Sequence, residues 1–321
     1  MAEETEGVRY EEEYITNSRG LKQFTCRWVP ENGETRALIF LCHGYAMESS
    51  VTMSDAGNRL ARAGFGAFGI DYEGHGRSSG LRGFIPSFDA VVDDCSDHFS
   101  RISERRENVG KRRFLLGESM GGAVILMLHR KKPGYWDGAV LVAPMCKIAD
   151  DSRPGPRMTS ALTMLCRIIP TWKIIPGNDI VEAAFRDPRK RQTVRENPVF
   201  YKGRPRLKSG YELLRASNLI ERTLSEVTVP FMVMHGGRDR VTDITVSRKL
   251  YETAASRDKS FKTYPDMWHS LTYGETPENI DVVFGDVLSW LEHRVSAGDA
   301  VAERQYKQLH DGDSNKNPAD S

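Results

Sequence analysis

The chain has 321 residues, enough for one large α/β domain or for a core domain with an insertion. Apolar residues make up 39% and charged residues 28%, and the net charge of +1 gives no global pull toward nucleic acid or an anionic membrane. No apolar run approaches the ~18 residues of a spanning helix, and the glutamate-rich start, Met1 to Glu13, lacks the apolar core of a secretory signal.

Tyr10 to Val29 reads as two strands around a turn at Asn17-Ser18-Arg19-Gly20. Ala37 to Cys42 is a continuous apolar run, the pattern of a strand buried on both faces, and it ends at His43-Gly44-Tyr45. A short helix closes at Leu60-Ala61 before Gly64, and a strand follows to Ile70 and Asp71. Ser87 caps a helix whose stripe is Phe88, Val91, Val92, Cys95, Phe99 and Ile102. Arg113 to Leu116 is the next strand, Ala123 to Arg130 the next helix, and Ala139 to Ala143 the strand after it. This alternation predicts a parallel sheet with helices on both faces.

The rhythm changes after Pro144. Prolines are frequent and strand patterns absent to about Arg222, and one amphipathic helix stands out through Met158, Ala161, Leu162, Leu165, Ile168 and Ile169. We read residues 1–144 as the first part of the core, 145–222 as a helical cap or lid, and 223–297 as the second part of the core. The resumed pattern is a strand at Val229 to His235, a helix near Ile244 to Ala255, a strand near Phe261 to Tyr264 and a helix near Ile280 to Val295. Residues 298–321 are polar and read as a disordered tail. Cys26, Cys42, Cys95, Cys146 and Cys166 are odd in number and lack C-x-x-C spacing, which predicts reduced core residues in a cytoplasmic protein.

Gly117-Glu118-Ser119-Met120-Gly121-Gly122 satisfies G-x-S-x-G between a strand and a helix. That context is the nucleophile elbow, a strained turn that lifts a serine hydroxyl above the sheet. A serine needs a base, and the base needs an orienting carboxylate. In such folds the order is serine, acid, histidine, the last two on loops after late strands. Asp239 follows the strand ending near His235, and His269 follows the strand ending at Tyr264. Asp243 is the rival acid, and chain order favours Asp239. The oxyanion donors fall to the backbone N–H groups of Met120, after the nucleophile, and Tyr45, in the loop after an early strand. His43 reads as structural.

Several signals lead elsewhere and are set aside. Gly64 to Gly69 matches G-x-G-x-x-G, but between a helix and a strand, the reverse of a dinucleotide site. No metal-binding spacing occurs, so neither cofactor nor metal is expected. Nine basic residues against Asp187 and Glu196 give the segment from Arg186 to Lys208 a charge of +7. It reads as a solvated face, or as a patch steering an anionic substrate or an anionic membrane surface. The apolar lid helix reads as packed on the core, or as membrane-facing.

Leu41 to Tyr45, Asp71 to Ser78, Gly117 to Gly122, and His235 with Asp239 together resemble the monoacylglycerol lipase-like α/β-hydrolases. The plant branch, which includes caffeoylshikimate esterase, is similar also in Gly-Glu-Ser-Met-Gly-Gly, Ile85 to Asp89, and Asn197-Pro198 with Tyr201-Lys202-Gly203. The resemblance runs from about Tyr10 to Arg294. It implies an α/β-hydrolase fold with a mostly parallel eight-stranded sheet and a helical lid. It implies a triad of Ser119, Asp239 and His269 with oxyanion donors at Tyr45 and Met120. The expected function is a serine carboxylester hydrolase, acting through an acyl-enzyme on a monoacylglycerol or a phenolic ester such as caffeoyl shikimate. Its partners would be a small-molecule ester or lipid, with peripheral membrane contact through the lid left open and no nucleic acid. Lysophospholipid hydrolysis or acyl transfer, and a non-hydrolytic receptor on the same fold, are the alternatives.

Overall fold

The computed structural model describes residues 7–146, 156–174 and 179–311, with side chains described at 7–146, 162–174 and 179–296. Eight strands form one sheet in the order β1-β2-β4-β3-β5-β6-β7-β8. They are β1 (Val8–Thr16), β2 (Lys22–Pro30), β3 (Ala37–Cys42), β4 (Gly66–Ile70), β5 (Arg112–Glu118), β6 (Gly138–Val142), β7 (Phe231–Gly236) and β8 (Lys259–Tyr264). β2 pairs antiparallel with β1 and β4, and every other pairing is parallel. This is the α/β-hydrolase sheet.

The continuous apolar runs become clear once two faces are counted. In β3, Leu38, Phe40 and Cys42 join one apolar layer, while Ala37, Ile39 and Leu41 join the other. A strand with period-two alternation and cover on both sides has no position left for a polar residue. The first layer is closed by α2 (Phe88–Ser103), α3 (Met120–Lys131), α7 (Leu207–Arg222) and α8 (Ile244–Thr253). The second is closed by α1 (Ser54–Arg62) and α9 (Pro277–Asp311). Ser87 caps α2 by accepting the Ala90 N–H at 3.3 Å.

Between β6 and β7 lie α4 (Pro156–Ile168), α5 (Ile180–Ala184), α6 (Pro188–Glu196) and α7, with no strand among the described residues. The sequence pattern revealed one of these four. α6 buries Val194 alone, so it carries no readable stripe; Asp187 at its N-cap and Pro188 at its start define it instead. α4 packs on α7 and buries Cys166, but Met164 and Ile168 are both 68% exposed and Leu165 is exposed as well. Of the expected apolar stripe, Leu165 and Ile168 therefore point away from the core, while Leu162 and Ile169 are half-buried.

The chain end also differs from expectation. α9 continues to Asp311, past residue 298 where a disordered tail was expected to begin. Alanine, glutamate, arginine, glutamine, lysine and leucine dominate residues 299–309, and their helix propensity sustains the backbone without an apolar stripe. The tail expectation for residues 312–321 lies outside the described residues. The five cysteines are buried and unbridged.

Candidate active site

Ser119 stands where β5 ends and α3 begins, with φ 58° and ψ −117°. A non-glycine residue there is strained and persists when its surroundings over-determine it. The Ser119 N–H donates to Val142 O at 2.9 Å, and Ser119 O accepts from the Gly122 and Met145 N–H groups at 3.0 and 2.9 Å. Two glycines make the turn sterically feasible. A Cβ on Gly121 would overlap the Cys42 carbonyl, and one on Gly117 would come within 2.8 Å of the Gly121 backbone. Ala46 and Ala143 are the other non-glycine residues with positive φ among the described residues. Ala46 lies in the loop after β3 and Ala143 directly after β6, so all three strained positions lie beyond the C-terminal ends of neighbouring strands.

Asp239 and His269 come together from loops after β7 and β8. His269 Nδ1 donates to Asp239 Oδ2 at 2.7 Å. His269 Nε2 is buried and has no hydrogen-bond partner among the described residues. With the proton on Nδ1, Nε2 carries the free lone pair a general base needs. The loops are locked to each other: the Gly237 N–H donates to Tyr264 O at 2.7 Å and the Arg238 N–H to Met267 O at 3.0 Å. Asp239 Oδ1 accepts the Val241 and Thr242 N–H groups at 2.7 and 3.0 Å, and Oδ2 accepts the Thr242 hydroxyl at 2.8 Å. Burial pushes this carboxyl upward. Hydrogen bonds from His235 and His269, the charge of His269 and the Thr242 N–H outweigh burial and hold it far below the ordinary carboxylate range. Asp243 instead caps α8, accepting the Thr245 N–H at 2.8 Å.

The loop after β3 runs beside the elbow: a Cβ on Gly44 would lie 3.6 Å from Ser119 Cβ. Met120 is the first residue of α3, so its N–H has no intrahelical acceptor. The Tyr45 N–H enters none of the backbone hydrogen bonds of its loop. Buried His43 stacks on Tyr72 at 3.9 Å, donates from Nδ1 to Gly44 O at 2.8 Å, and accepts the Tyr72 N–H at Nε2. Burial, followed by the nearby His75, lowers its pKa to about 3. His43 is thus a neutral brace for the loop.

The contacts of three residues around the Asp239–His269 pair escaped the sequence reading. His235 reaches Asp239 Oδ2 through Nε2 at 3.1 Å, while its Nδ1 accepts from the Ser247 hydroxyl at 2.8 Å. Thr242 bridges Asp239 and the Ala143 carbonyl. Glu118, inside the elbow, is buried and accepts the Thr272 hydroxyl at 2.6 Å, tying the Ser119 turn to the chain just past His269. The Ser119 to His269 chain order was the available signal for the three expected residues; His235 and Thr242 lie within four residues of Asp239, whereas Glu118 and Thr272 share no local pattern.

A family model described as serine aminopeptidase, S33, matches residues 33–277. The caffeoylshikimate esterase of Arabidopsis thaliana is 33% identical over 292 residues, covering 91% of this chain and 88% of that protein. The monoglyceride lipase of Homo sapiens is 30% identical over 283 residues, covering 88% and 91% respectively. A solved soluble variant of monoglyceride lipase from Saccharomyces cerevisiae, in complex with a substrate analogue, superposes with a TM-score of 0.76. It is 21% identical, with 88% of this chain and 94% of that one covered, and this likeness speaks for the fold alone.

Proposed function

Because the chain belongs to the serine aminopeptidase S33 family of α/β-hydrolases and is a carboxylester hydrolase, we propose that it cleaves a monoacylglycerol or a phenolic ester of the caffeoyl shikimate kind. Ser119 attacks the ester carbonyl. His269 takes its proton at Nε2 and returns it to the leaving alcohol. Asp239 fixes the imidazole tautomer and stabilises its charge. The Tyr45 and Met120 N–H groups hold the oxyanion, and water then releases the acid from the acyl-enzyme. The observation that carries this reading is the 2.7 Å bond from His269 Nδ1 to buried Asp239, which leaves Nε2 free at the strand ends where Ser119 is strained outward.

In this reading residues 1–144 and 223–297 form the catalytic core and residues 145–222 a cap over it. Met164, Ile168 and Trp172 of the cap are each more than half exposed, with Leu165 and Ile174 exposed beside them in sequence. Such an apolar surface supports peripheral contact with lipid in a cytoplasmic enzyme. No described helix is long and apolar enough to cross a membrane.

A substrate panel tests the proposal: 1- and 2-monoacylglycerols, a lysophospholipid, caffeoyl shikimate and short p-nitrophenyl esters. Turnover of the p-nitrophenyl esters, with a monoacylglycerol or caffeoyl shikimate as the best natural ester, is the expected result. Turnover of the lysophospholipid alone, or acyl transfer to an alcohol in preference to water, would overturn it.

A further inference from the structure

A cavity of about 490 Å³ opens between the loop bearing Tyr45 and Ala46 and the chain just after Asp239. Its apolar wall includes Ile180, Val181, Phe200 and Tyr201, and its charged residues are Asp179, Arg195, Lys202, Arg204 and Arg240. Asp179 and Arg195 pair with each other at 2.8 Å. Three cations are left over.

The surplus is selective. Most of the basic segment is already engaged. Arg186 lies 3.5 Å from Glu275, Arg189 3.1 Å from Asp187, and Lys208 2.6 Å from Glu212. Arg191 pairs with Glu182, Arg206 donates to the Arg82 and Thr171 carbonyls, and Lys190 lies over the Tyr273 ring at 4.2 Å. Lys202 and Arg204, by contrast, have no carboxylate, carbonyl or ring partner among the described residues, and Arg240 has a ring contact but no carboxylate partner there. Arg240 lies 4.9 Å over the Trp268 ring, so it is placed between the chain after Asp239 and the residue before His269. The turn carrying Lys202 and Arg204 is also fixed: the Tyr201 N–H donates to Ala46 O at 3.1 Å, and the Tyr201 hydroxyl to Arg204 O at 2.7 Å.

We propose that this cavity is a subsite for an anionic group, so that the preferred ester carries a carboxylate or a phosphate on the part seated against Lys202, Arg204 and Arg240. The inference rests on the ester-hydrolase reading above. A cleft with one sign of charge and low-dielectric walls concentrates the opposite charge. Guanidinium forks match carboxylate and phosphate oxygens equally well, whereas a neutral glycerol headgroup makes no use of the charge. The apolar wall accommodates the carbon frame beside the anion.

The test uses ester pairs that differ in charge. One pair is caffeoyl shikimate and its methyl ester; the other is oleoyl glycerol phosphate and oleoyl glycerol. At low salt, wild type should favour the anionic member of one pair by about tenfold in kcat/KM, as expected for three exposed cations. The preference should lie mainly in KM and shrink as salt rises. Preference within the first pair identifies a carboxylate ester, and within the second a phosphate ester. Lys202→Gln with Arg204→Gln and Arg240→Gln should bring the ratio toward one, while Lys202→Arg with Arg204→Lys and Arg240→Lys should keep it. If the triple glutamine variant misfolds by circular dichroism, Lys202→Gln and Arg204→Gln are read singly. A ratio near one for both pairs in wild type, or a ratio unchanged by glutamine, overturns the subsite. Loss of fluorophosphonate labelling and of p-nitrophenyl butyrate hydrolysis in wild type would instead strike the hydrolase reading. Calorimetric binding of caffeoyl shikimate against its methyl ester then decides the subsite alone.

Discussion

The strand-end loops and the β6–β7 insertion treat polar and apolar groups in opposite ways. Around Ser119 the Asp239 and His269 side chains are buried and joined: Asp239 receives hydrogen bonds from two histidines, a hydroxyl and two backbone N–H groups. In the insertion, Met164 and Ile168 face outward and Lys202 and Arg204 lack carboxylate partners among the described residues. The difference separates two physical tasks. A proton-transfer site needs fixed positions within a fraction of an ångström, so its groups are over-determined. A surface that selects substrates must leave attractive groups unsatisfied until the ligand arrives.

The sharpest way to break this division is at the elbow. Ser119→Ala removes the hydroxyl and relieves none of the turn's backbone bonds, so folding should persist. Ester hydrolysis should fall by ~10³-fold or more, leaving the effect of oxyanion donors and binding. A fluorophosphonate probe should label wild type and miss the variant. Labelling that survives would place the nucleophile elsewhere.

Asp239→Asn comes next, with an expected loss of ~10³-fold in kcat, because an amide cannot hold the required imidazole tautomer or its charge. Asp243→Asn should stay within about twofold, since asparagine caps a helix as well as aspartate does. Parallel rate measurements on a p-nitrophenyl ester compare the two. If Asp243→Asn is the inactive variant, the roles are exchanged.

Acid stability sharpens the contrast, because the insertion contains no histidine. In the core, burial lowers His43 and His98 to about 3 and His75 to about 4; nearby His75 adds to the effect on His43, and Arg105 and Arg101 to that on His98. The unfolded chain binds these protons from pH ~6.5 downward while the folded chain does not, so stability is lost as pH falls below that value. Asp71 acts in the opposite sense. Burial, aided by Glu48, raises it to about 7, so the folded state holds a proton that the unfolded state releases above ~4. Burial also lowers His129 and raises Asp94, and the lowered histidines outnumber the raised carboxyls, so stability falls between pH ~4 and ~6.5 by about 1.4 kcal/mol per pH unit for each uncompensated proton. Urea unfolding at pH 7.5 and 5 measures the loss, and His98→Gln should reduce its slope by about one proton. Equal stability at both pH values would contradict the neutral buried histidines.

Legibility in the sequence follows the same division. Strands buried on both faces announce themselves as apolar runs, and the elbow, acid and histidine sit at strand ends in a fixed order. Local pattern placed these residues at strand ends. It was insufficient wherever the partner is distant: Glu118 and Thr272 are 154 residues apart, and nothing near either names the other. α6 was missed because a helix that buries one valine has no period to read. The basic segment was visible as charge, yet sequence could not divide its engaged members from Lys202 and Arg204, because the dividing carboxylates include Asp179, Glu182, Glu212 and Glu275, on three different stretches of chain.

The smallest expected effect is at the most conspicuous part of that charge. Arg189, Lys190 and Arg191 form an unbroken basic triplet, the natural first choice for a steering patch. Each is already occupied: Arg189 by Asp187, Lys190 by the Tyr273 ring, and Arg191 by Glu182 and the Arg186 carbonyl. Paired charges present little net field to an incoming anion, and what remains is screened by salt. Replacing all three by glutamine should therefore alter kcat/KM by less than about twofold on charged and neutral esters alike, at low and at high salt. Lys202, Arg204 and Arg240, which are scattered in sequence and converge on one cavity, should carry the discrimination instead. A large, salt-sensitive loss on the anionic esters in the triplet variant would reverse that assignment and move the recognition surface from the cavity to the outer face of α6.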